Sequence, residues 1–319
     1  MLVDGTTNIF DTKGDFETAT KNLWGARTQN DGGKINVGGA YEMMPVPIAS
    51  STAKSRKVFT DAARADASKV TALSTLKSNG DYDEPQPLLQ VPKLSAGATS
   101  SKSTILDRFK SQDILKDFPI ALRLKLLNYI GFKVDTALEA IPSDSAVSYE
   151  GSPYFSMGGI IHSFPVQMTY SGTVTESGEL ATSDIELPDK TILKPRKQSV
   201  LYGSMEGGLH IVDGATGEEQ MVFLPTEILN NQISSNALVK AGSGTPAPAH
   251  GVDSPWIVDS EYRTEGTYPN AQIKATKMNV FGGLRMGGSS YYALDVLDTS
   301  APKLKFRIGT DQLNYTRMG

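Results

Sequence analysis

The sequence predicts a mainly β protein, a partial β-propeller with a helical insertion. Two stretches, residues 200–219 and 278–296, share one plan: a short apolar strand ending in Gly, a Gly-rich turn and a second apolar strand ending in Asp. Strand pairs that recur with one turn signature are typical of propeller blades. The 30 Gly and 17 Pro residues fit many turns and short strands. Apolar residues at helical spacing are concentrated in residues 104–130.

The first repeated stretch predicts a hairpin that continues into a third strand. Residues 205–208 form the Gly-rich turn, and residues 209–212 form the return strand. Asp213 then starts a turn that ends at Gly217, because an Asp side chain accepts hydrogen bonds from its own turn amides and Gly tolerates positive φ. Asp295 has the same place in the second stretch. The expected core consists of Leu201, Leu209, Ile211, Phe223, Val280, Tyr292, Leu294 and Val296.

The strongest helical pattern lies in the middle of the chain. A first helix over residues 103–110 would place its large apolar side chains on one side. A second helix is expected to begin after Pro119 and to end near Gly131. A short helix is also expected after Pro225, and residues 59–76, which mix Ala with charged residues, are compatible with a further one.

These elements divide the chain into three parts. Residues 1–103 are expected to be an extended, loop-rich lead-in segment of the propeller domain, residues 104–150 a helical insertion, and residues 151–319 the blades. A closed propeller needs about four to eight blades, and the sequence offers two clear units. We therefore expect the chain to be a fragment. In an exported protein the targeting segment would lie upstream, since residues 1–5 lack the features of a signal peptide.

Composition excludes several classes of function. The net charge of −4 provides no basic footprint for nucleic acid. The chain has no cysteine, which rules out disulfides, thiolate zinc sites and cysteine nucleophiles. No apolar run in the sequence approaches the length of a membrane span.

Several short segments resemble the C-terminal domain of the PilC/PilY proteins, which are tip-associated adhesins and biogenesis factors of type IV pili. The segments that carry the resemblance, in order along the chain, are residues 16–24, 38–42, 56–60, 123–130, 160–165, 200–225 and 291–295. The resemblance has gaps at about residues 62–103 and 166–195. At Gly159 the chain departs from the family, which usually has Asp there.

The resemblance implies a quinoprotein-like propeller. No enzymatic activity is expected, because the sequence lacks a nucleophile elbow and cysteine and its three histidines are scattered. The resemblance also implies a pilus-tip protein that contacts minor pilins and a host-cell or abiotic surface and supports pilus extension, adhesion and twitching motility. Such a protein is exported to the cell surface or pilus tip, and is outer-membrane associated or periplasmic in transit. We expect residues 171–198 and 241–251 to be contact loops, because connecting loops carry binding. No cofactor is expected in this chain, and the resemblance allows calcium in the full-length protein.

Three histidines are candidates for metal or catalytic chemistry. The spacing of His162, His210 and His250 matches no metal motif. We therefore interpret them as structural side chains that bond neighbouring turns, with a ligand or base as the alternative. A Ser/His/Asp hydrolase is disfavoured, because Ser204 lacks the later Gly of a nucleophile elbow.

Acidic side chains could either cap turns or bind calcium. Asp213 and Asp295 are interpreted as caps of their own turns. Residues 11–17 carry three carboxylates at alternating positions, as a calcium loop does, but Lys13 interrupts the pattern. A plain turn is the preferred interpretation of that segment.

Aromatic side chains raise the alternative of a lectin, because their faces can stack on sugars. The candidates are Trp24, Trp256, Tyr291 and Tyr292, and packing between sheets is the preferred role. Two further alternatives are a pyrroloquinoline-quinone-type dehydrogenase and a structural propeller scaffold of the cell envelope. The turn at residues 212–217 resembles turns of the quinone enzymes, but the sequence provides no recognisable cofactor pocket.

Overall fold

Strands dominate the part of the chain that the structure describes. A computed structural model describes residues 12–13, 24, 40, 43–49, 55–63, 72–73, 84–94, 98–111, 115, 118–149, 158–193, 195–239, 250–267 and 271–309. The mainly β fold is confirmed. None of the helices in these ranges is long and apolar enough to span a bilayer.

The elements follow one another in chain order. The strands are β1 (Val58–Thr60), β2 (Gln86–Pro87), β3 (Leu89–Val91), β4 (Val166–Thr173), β5 (Ile185–Glu186), β6 (Ile192–Leu193), β7 (Arg196–Gly203), β8 (Leu209–Asp213), β9 (Glu219–Phe223), β10 (Trp256–Glu265), β11 (Gln272–Gly283), β12 (Tyr291–Asp295) and β13 (Lys303–Ile308). The α-helices are α1 (Lys102–Ser111), α2 (Ile120–Tyr129), α3 (Thr226–Asn230) and α4 (Gln232–Asn236). Short 3-10 helices lie at Asp144–Ala146 and Arg285–Gly287.

One large sheet closes almost completely on itself. Its order is β2-β13-β12-β11-β4-β7-β8-β9-β1-β3, with β10 paired to β11 as an eleventh strand. The two end strands, β2 and β3, are separated in sequence only by Leu88, so residues 86–91 join the two ends of the sheet. Leu88 N donates to Pro302 O at 3.0 Å within this closure. The result is a nearly closed, barrel-like sheet, and the β5–β6 hairpin stands apart from it.

Two successive antiparallel units of four strands make up most of this sheet. The first unit is β4-β7-β8-β9 and the second unit is β10-β11-β12-β13. Leu201 faces Ile211 in the first hairpin as Phe281 faces Ala293 in the second. The register then shifts directly after Ile211 in one unit and directly after Ala293 in the other. The repeated hairpins predicted from the sequence are therefore confirmed. The two units also share the position of a β-bulge, which the sequence pattern did not predict.

The core consists of two clusters, and the predicted core is confirmed. All eight residues expected to be buried are buried: Leu201, Leu209, Ile211, Phe223, Val280, Tyr292, Leu294 and Val296. They belong to one cluster that lies between the two units. The rings of Phe223 and Tyr292 meet edge to face across this interface, with centroids 5.4 Å apart. The other cluster packs α1 and α2 against β1, β3 and β9.

The helices follow the sequence patterns with one exception. Helix α2 begins directly after Pro119, α3 begins directly after Pro225, and Gly131 follows α2 with a φ of +117°. The helix allowed for residues 59–76 does not begin at Phe59, which lies in β1 and pairs parallel to β9, while residues 64–71 and 74–76 lie outside the described residues. Buried β1 satisfies its backbone groups through β9 and β3, a long-range pairing that local composition does not encode. The domain boundaries proposed from the sequence stay predictions.

Candidate functional site

Four loops meet at one end of the two units. They are residues 158–165 before β4, the turn 204–208, residues 250–255 before β10 and the turn 284–290. Because neighbouring strands run antiparallel, the start of the first strand and the hairpin turn of each unit lie at the same end. Backbone hydrogen bonds connect the loops: Met205 N donates to Gly159 O at 3.1 Å, and Val252 N donates to Ser204 O at 3.0 Å. We call this region the loop end.

A buried carboxylate organises the loop end. Asp253 has a fully buried side chain, and its oxygens lie 2.9 and 3.0 Å from Nδ1 of His162. Arg285 Nη1 donates to the same carboxylate at 2.9 Å, and Nδ1 of His250 lies 4.0 Å away. Burial would raise the pKa of Asp253, but His162 and Arg285 outweigh burial and lower it. Asp253 therefore ties side chains from three loops to one point.

Large apolar side chains are exposed around this cluster. Ile161, Phe164 and Met286 are 60%, 70% and 63% exposed. Each is a sequence neighbour of the cluster, since Ile161 and Phe164 flank His162 and Met286 follows Arg285. Three large apolar side chains are therefore exposed next to the polar cluster around Asp253. We call these five residues the loop-end surface.

Beneath the hairpin turn of the first unit lies a buried network of alternating charge. Arg56 donates to both oxygens of Glu219, at 2.7 and 3.0 Å. Nδ1 of His210 lies 2.8 Å from the Glu219 carboxylate, and its Nε2 lies 2.6 Å from Oε1 of Glu206. Glu206 also accepts a hydrogen bond from Gly158 N at 2.7 Å. The four side chains carry two positive and two negative charges, so each buried charge has a partner.

The network shifts the pKa of each member toward its charged form. Burial would lower the pKa of His210, but Glu206 and Glu219 outweigh burial and raise it to about 9. Burial would raise the pKa of Glu219, but Arg56 and His210 lower it to about 2. The pKa of Glu206 is lowered in the same way, chiefly by His210 acting against burial. At neutral pH His210 is therefore a cation held between two carboxylates.

Ser204, His210 and Glu219 have the spacing of a hydrolytic triad, and His210 also contacts a second carboxylate, Glu206. Oγ of Ser204 lies 2.8 Å from Nε2 of His210, and Nδ1 of His210 faces Glu219. A general base must be neutral to accept the serine proton. His210 is protonated, and its Nε2 proton points to Glu206, while the Ser204 hydroxyl donates to Gly208 O at 3.0 Å. In this arrangement His210 connects the hairpin turn, through Glu206, to β9, through Glu219.

Close packing holds the network in place. The ring of Tyr202 stacks on His210 with centroids 5.2 Å apart, and the Arg56 guanidinium lies 4.1 Å from the centroid of the Tyr129 ring. Arg56 also donates to Tyr129 O at 2.6 Å, which connects the network to α2. A Cβ at Gly208 would lie 2.6 Å from Nε2 of His210 and 2.9 Å from the Tyr129 hydroxyl. A residue larger than Gly at that position would require the network to shift.

The two Asp residues expected to cap turns do so in the structure. Asp213 accepts hydrogen bonds from Ala215 N and Thr216 N at 2.9 Å, and Asp295 accepts one from Leu297 N at 3.1 Å, so both caps are confirmed. Gly217 has a φ of +72°, as the turn requires.

Among the aromatic candidates, Trp256 and Tyr292 are core residues, as expected. Trp24 is half-buried: its indole donates to Gly214 O at 3.1 Å, and its ring packs on Gly217. Tyr291 is exposed.

The remaining expectations, on two histidines, two contact loops and the acidic segment 11–17, are met only in part or lie outside the described residues. His162 bonds a neighbouring loop as expected, but it and His250 are about half exposed. The loop at residues 171–198 carries the exposed β5–β6 hairpin, whereas residues 241–249 lie outside the described residues. Of the acidic segment 11–17 only residues 12–13 are described. Within the described ranges, no group of three or more His, Asp or Glu side chains is arranged to hold a metal ion.

Comparison with protein-family models, curated proteins and solved structures finds no match to this chain.

The loop-end surface is the part of the site that sequence analysis missed. Phe164 begins a stretch with strand alternation, residues 164–170, and Ile161 and Met286 lie outside any periodic segment, so no pattern marked these residues as exposed. The segment 160–165 was singled out through the family resemblance, and His162 within it as one of three candidate histidines. The one signal that could have identified Ile161 and Phe164 is that large apolar residues lie on both sides of the polar pair His162 and Ser163.

Proposed function

We propose that this chain is part of the propeller domain of a type IV pilus tip-associated adhesin and biogenesis factor of the PilC/PilY family. In this role the protein contacts minor pilins and a host-cell or abiotic surface. It supports pilus extension, adhesion and twitching motility from the cell surface or pilus tip. The observation that carries the proposal is the loop-end surface, where Ile161, Phe164 and Met286 are exposed beside His162 and Arg285, two side chains that a buried carboxylate holds in place.

The propeller part of the proposal is supported by the two four-stranded units. They share register and bulge position, and they pack face to face through Phe223 and Tyr292. Neighbouring blades of a propeller have this relationship. The units have one additional link, because β11 also pairs with β4 through residues 272–274.

A binding role is supported by the chemistry of the loop end. Exposed apolar side chains next to Arg and His suit a protein interface, in which an apolar centre is surrounded by polar groups. The Asp253 cluster and the buried network below it restrain the four loops. A surface that is rigid before contact loses less entropy on binding.

The alternative of a quinone-dependent dehydrogenase rests on the turn at residues 212–217. In that turn Asp213 is occupied by the amides of Ala215 and Thr216 and by the side chain of Gln220. The turn that resembles those of the quinone enzymes therefore has a structural explanation, because Asp213 caps it. This favours the binding role over the enzymatic one.

The proposal is tested by deleting the full gene in a strain without a paralogue. We expect fewer surface pili, smaller twitching zones and weaker adhesion, all restored by the wild-type gene. A gene carrying Phe164→Asp and Met286→Asp should restore less, because carboxylates in the apolar part of the loop-end surface oppose contact. The matched control is Leu297→Asp, a 37% exposed residue that follows β12 at the opposite end of the second unit.

Two outcomes contradict the proposal. Wild-type piliation, motility and adhesion in the deletion strain would exclude a pilus function. Reproducible quinone-dependent alcohol oxidation by the purified protein would establish the enzymatic alternative instead.

A further inference from the structure

The loop end exposes its basic side chains and buries its acidic ones. Its four loops contain one Arg and two His residues, and the side chains of Arg285, His162 and His250 are all about half exposed. The same loops contain two acidic residues, Glu206 and Asp253, and both are buried. The whole chain has a net charge of −4. The four loops therefore present a positive charge outward, and no exposed negative charge, in a protein that is acidic overall.

Helix α3 brings one further acidic side chain to the turn 284–290. Glu227 accepts hydrogen bonds from the backbone N and Oγ of Ser289 at 2.7 and 3.0 Å, and from Ser290 N at 3.0 Å. Both oxygens of this carboxylate thus have donors within the turn. Within the described residues, the carboxylate that Arg285 contacts is that of Asp253. Glu227 therefore stabilises the turn without neutralising Arg285 by contact.

Asp253 uses only part of the hydrogen-bonding capacity of Arg285. A guanidinium has five N–H groups in a fixed planar fork, and Nη1 donates to Asp253 at 2.9 Å. The other edge of the fork, formed by Nε and Nη2, has no hydrogen-bond partner in the described part of the chain. Such an edge can donate two parallel hydrogen bonds to one carboxylate. Arg285 is thus held by one carboxylate and can bind a second.

The backbone fixes the position of Arg285. Its φ is +51°, in the left-handed region that residues other than Gly, Asn and Asp rarely adopt. A Cβ at Gly287 would clash with Gly251 O, so the turn 284–290 packs directly on the loop that carries Asp253. Non-Gly residues held in this conformation are concentrated at functional sites. The fold therefore maintains Arg285 in an unfavourable backbone conformation that keeps its side chain at the surface.

The exposed apolar side chains of the loop-end surface narrow the class of ligand. Nucleic acids and other polyanions are bound mainly by several Lys and Arg side chains, and they gain little from residues such as Phe164 and Met286. An acidic side chain within an apolar polypeptide segment matches both parts of the surface, because protein interfaces combine apolar centres with polar groups. Apolar contact also excludes water around the ion pair, which strengthens it.

We infer that the loop-end surface binds a polypeptide segment in which an Asp or Glu side chain lies between large apolar side chains. The ligand carboxylate accepts hydrogen bonds from Nε and Nη2 of Arg285, and the flanking side chains pack on Phe164 and Met286. Asp253 stays buried beneath and holds Arg285 and His162 in place. The inference rests on the binding role proposed for this surface, and it adds the chemistry of the partner.

The test compares the binding of two matched peptides to the full chain. The first is a short capped peptide with a central Glu flanked by Leu and Phe, and the second has Gln in place of that Glu. Fluorescence anisotropy of the labelled peptides measures the Kd of each. We expect the Glu peptide to bind at least about tenfold more tightly, because charge-assisted hydrogen bonds to a guanidinium are stronger than neutral ones.

Substitutions assign this preference to one side chain. Arg285→Gln should bring the ratio of the two Kd values to about one and leave the Kd of the Gln peptide nearly unchanged. An unfolded variant would bind neither peptide, and Arg285→Lys then replaces it, since a single ammonium cannot donate two parallel bonds and the ratio should fall. The matched control is Arg263→Gln on β10, a 64% exposed side chain paired with Glu265, which should keep the wild-type ratio.

Three results overturn the inference. Equal Kd values of the two peptides for wild type exclude recognition of the carboxylate, and no binding of either peptide excludes an apolar acidic segment as ligand. Sedimentation of wild type, but not of Arg285→Gln, with phosphatidylglycerol vesicles would assign the surface to an anionic lipid. These assays use purified protein, so their failure is distinct from a failure of the pilus phenotype in the deletion strain.

Discussion

Nδ1 of His210 lies 2.8 Å from Oε2 of Glu219, and both side chains are fully buried. The pair is one link in a chain of four charges that runs from Arg56 to Glu206. Removing water from a charge is costly, and a partner at hydrogen-bond distance compensates for that cost. Loss of any one member leaves another charge buried without compensation, so the stability of the fold depends on the whole network.

Replacement of His210 by Gln should strongly destabilise the protein. His210→Gln leaves Glu206 and Glu219 with fewer compensating charges, and we expect the free energy of unfolding to fall by about 3–5 kcal/mol. Urea unfolding followed by tryptophan fluorescence measures the change. His250→Gln is the control, because that half-exposed side chain should contribute about 0.5 kcal/mol or less. Equal effects of the two substitutions would contradict the role given to the network.

The contribution of His210 should depend on pH in a defined direction. Its pKa rises from 6.5 to about 9 in the folded protein. The stabilisation is therefore complete below pH 6.5 and is lost as the pH rises through 9. We expect the stability difference between wild type and His210→Gln to shrink by about 3 kcal/mol across that window. Parallel pH profiles of the two proteins would be inconsistent with a buried imidazolium.

Glu219 should show the opposite dependence. Its pKa falls from 4.5 to about 2 in the folded protein. The stabilisation is present above pH 4.5 and is lost as the pH falls through 2, which corresponds to about 3 kcal/mol. Acid unfolding of wild type and Glu219→Gln compares the two directly. The variant should lose less stability than wild type between pH 4.5 and pH 2, and an equal loss would show that Glu219 is not the titrating group.

Two glycines of the loop end should respond differently to a methyl group. A Cβ at Gly208 would meet His210, Val222 and Tyr129 at 2.6–2.9 Å, whereas one at Gly159 has nothing within 4 Å. We expect Gly208→Ala to cost about 1–3 kcal/mol through overpacking, and Gly159→Ala to be nearly neutral. Thermal unfolding distinguishes them. A neutral Gly208→Ala would show that the network can shift to make room.

The repeat made much of this fold predictable from sequence. Because two stretches share one pattern, the hairpins, the Asp caps and the core side chains could all be placed before the structure was known. The pairing of Arg56 with Glu219 could not, since 163 residues separate them and no periodicity links them. Two other features also join segments that are far apart in sequence: the parallel pairing of β1 with β9, and the closure of the sheet by residues 86–91. Sequence periodicity reports only local structure, so it could not predict them. The loop-end surface was missed because it depends on two loops distant in sequence meeting at Asp253, which lies on a third.

Asp253 should control the order of the loop end more than the stability of the fold. Asp253→Asn removes the charge that holds His162 and Arg285, both about half exposed, while keeping the shape of the side chain. We expect hydrogen exchange at the amides of Met205 and Val252, which bond Gly159 O and Ser204 O, to speed up by about tenfold or more. Amides in the centre of the sheet, such as that of Ile211, should be unaffected. The control is Asp259→Asn, since Asp259 is an exposed acid on β10 away from these loops. If exchange at Met205 and Val252 is the same in both variants, the loops are held by their backbone hydrogen bonds alone, and the Asp253 cluster does not organise the loop-end surface.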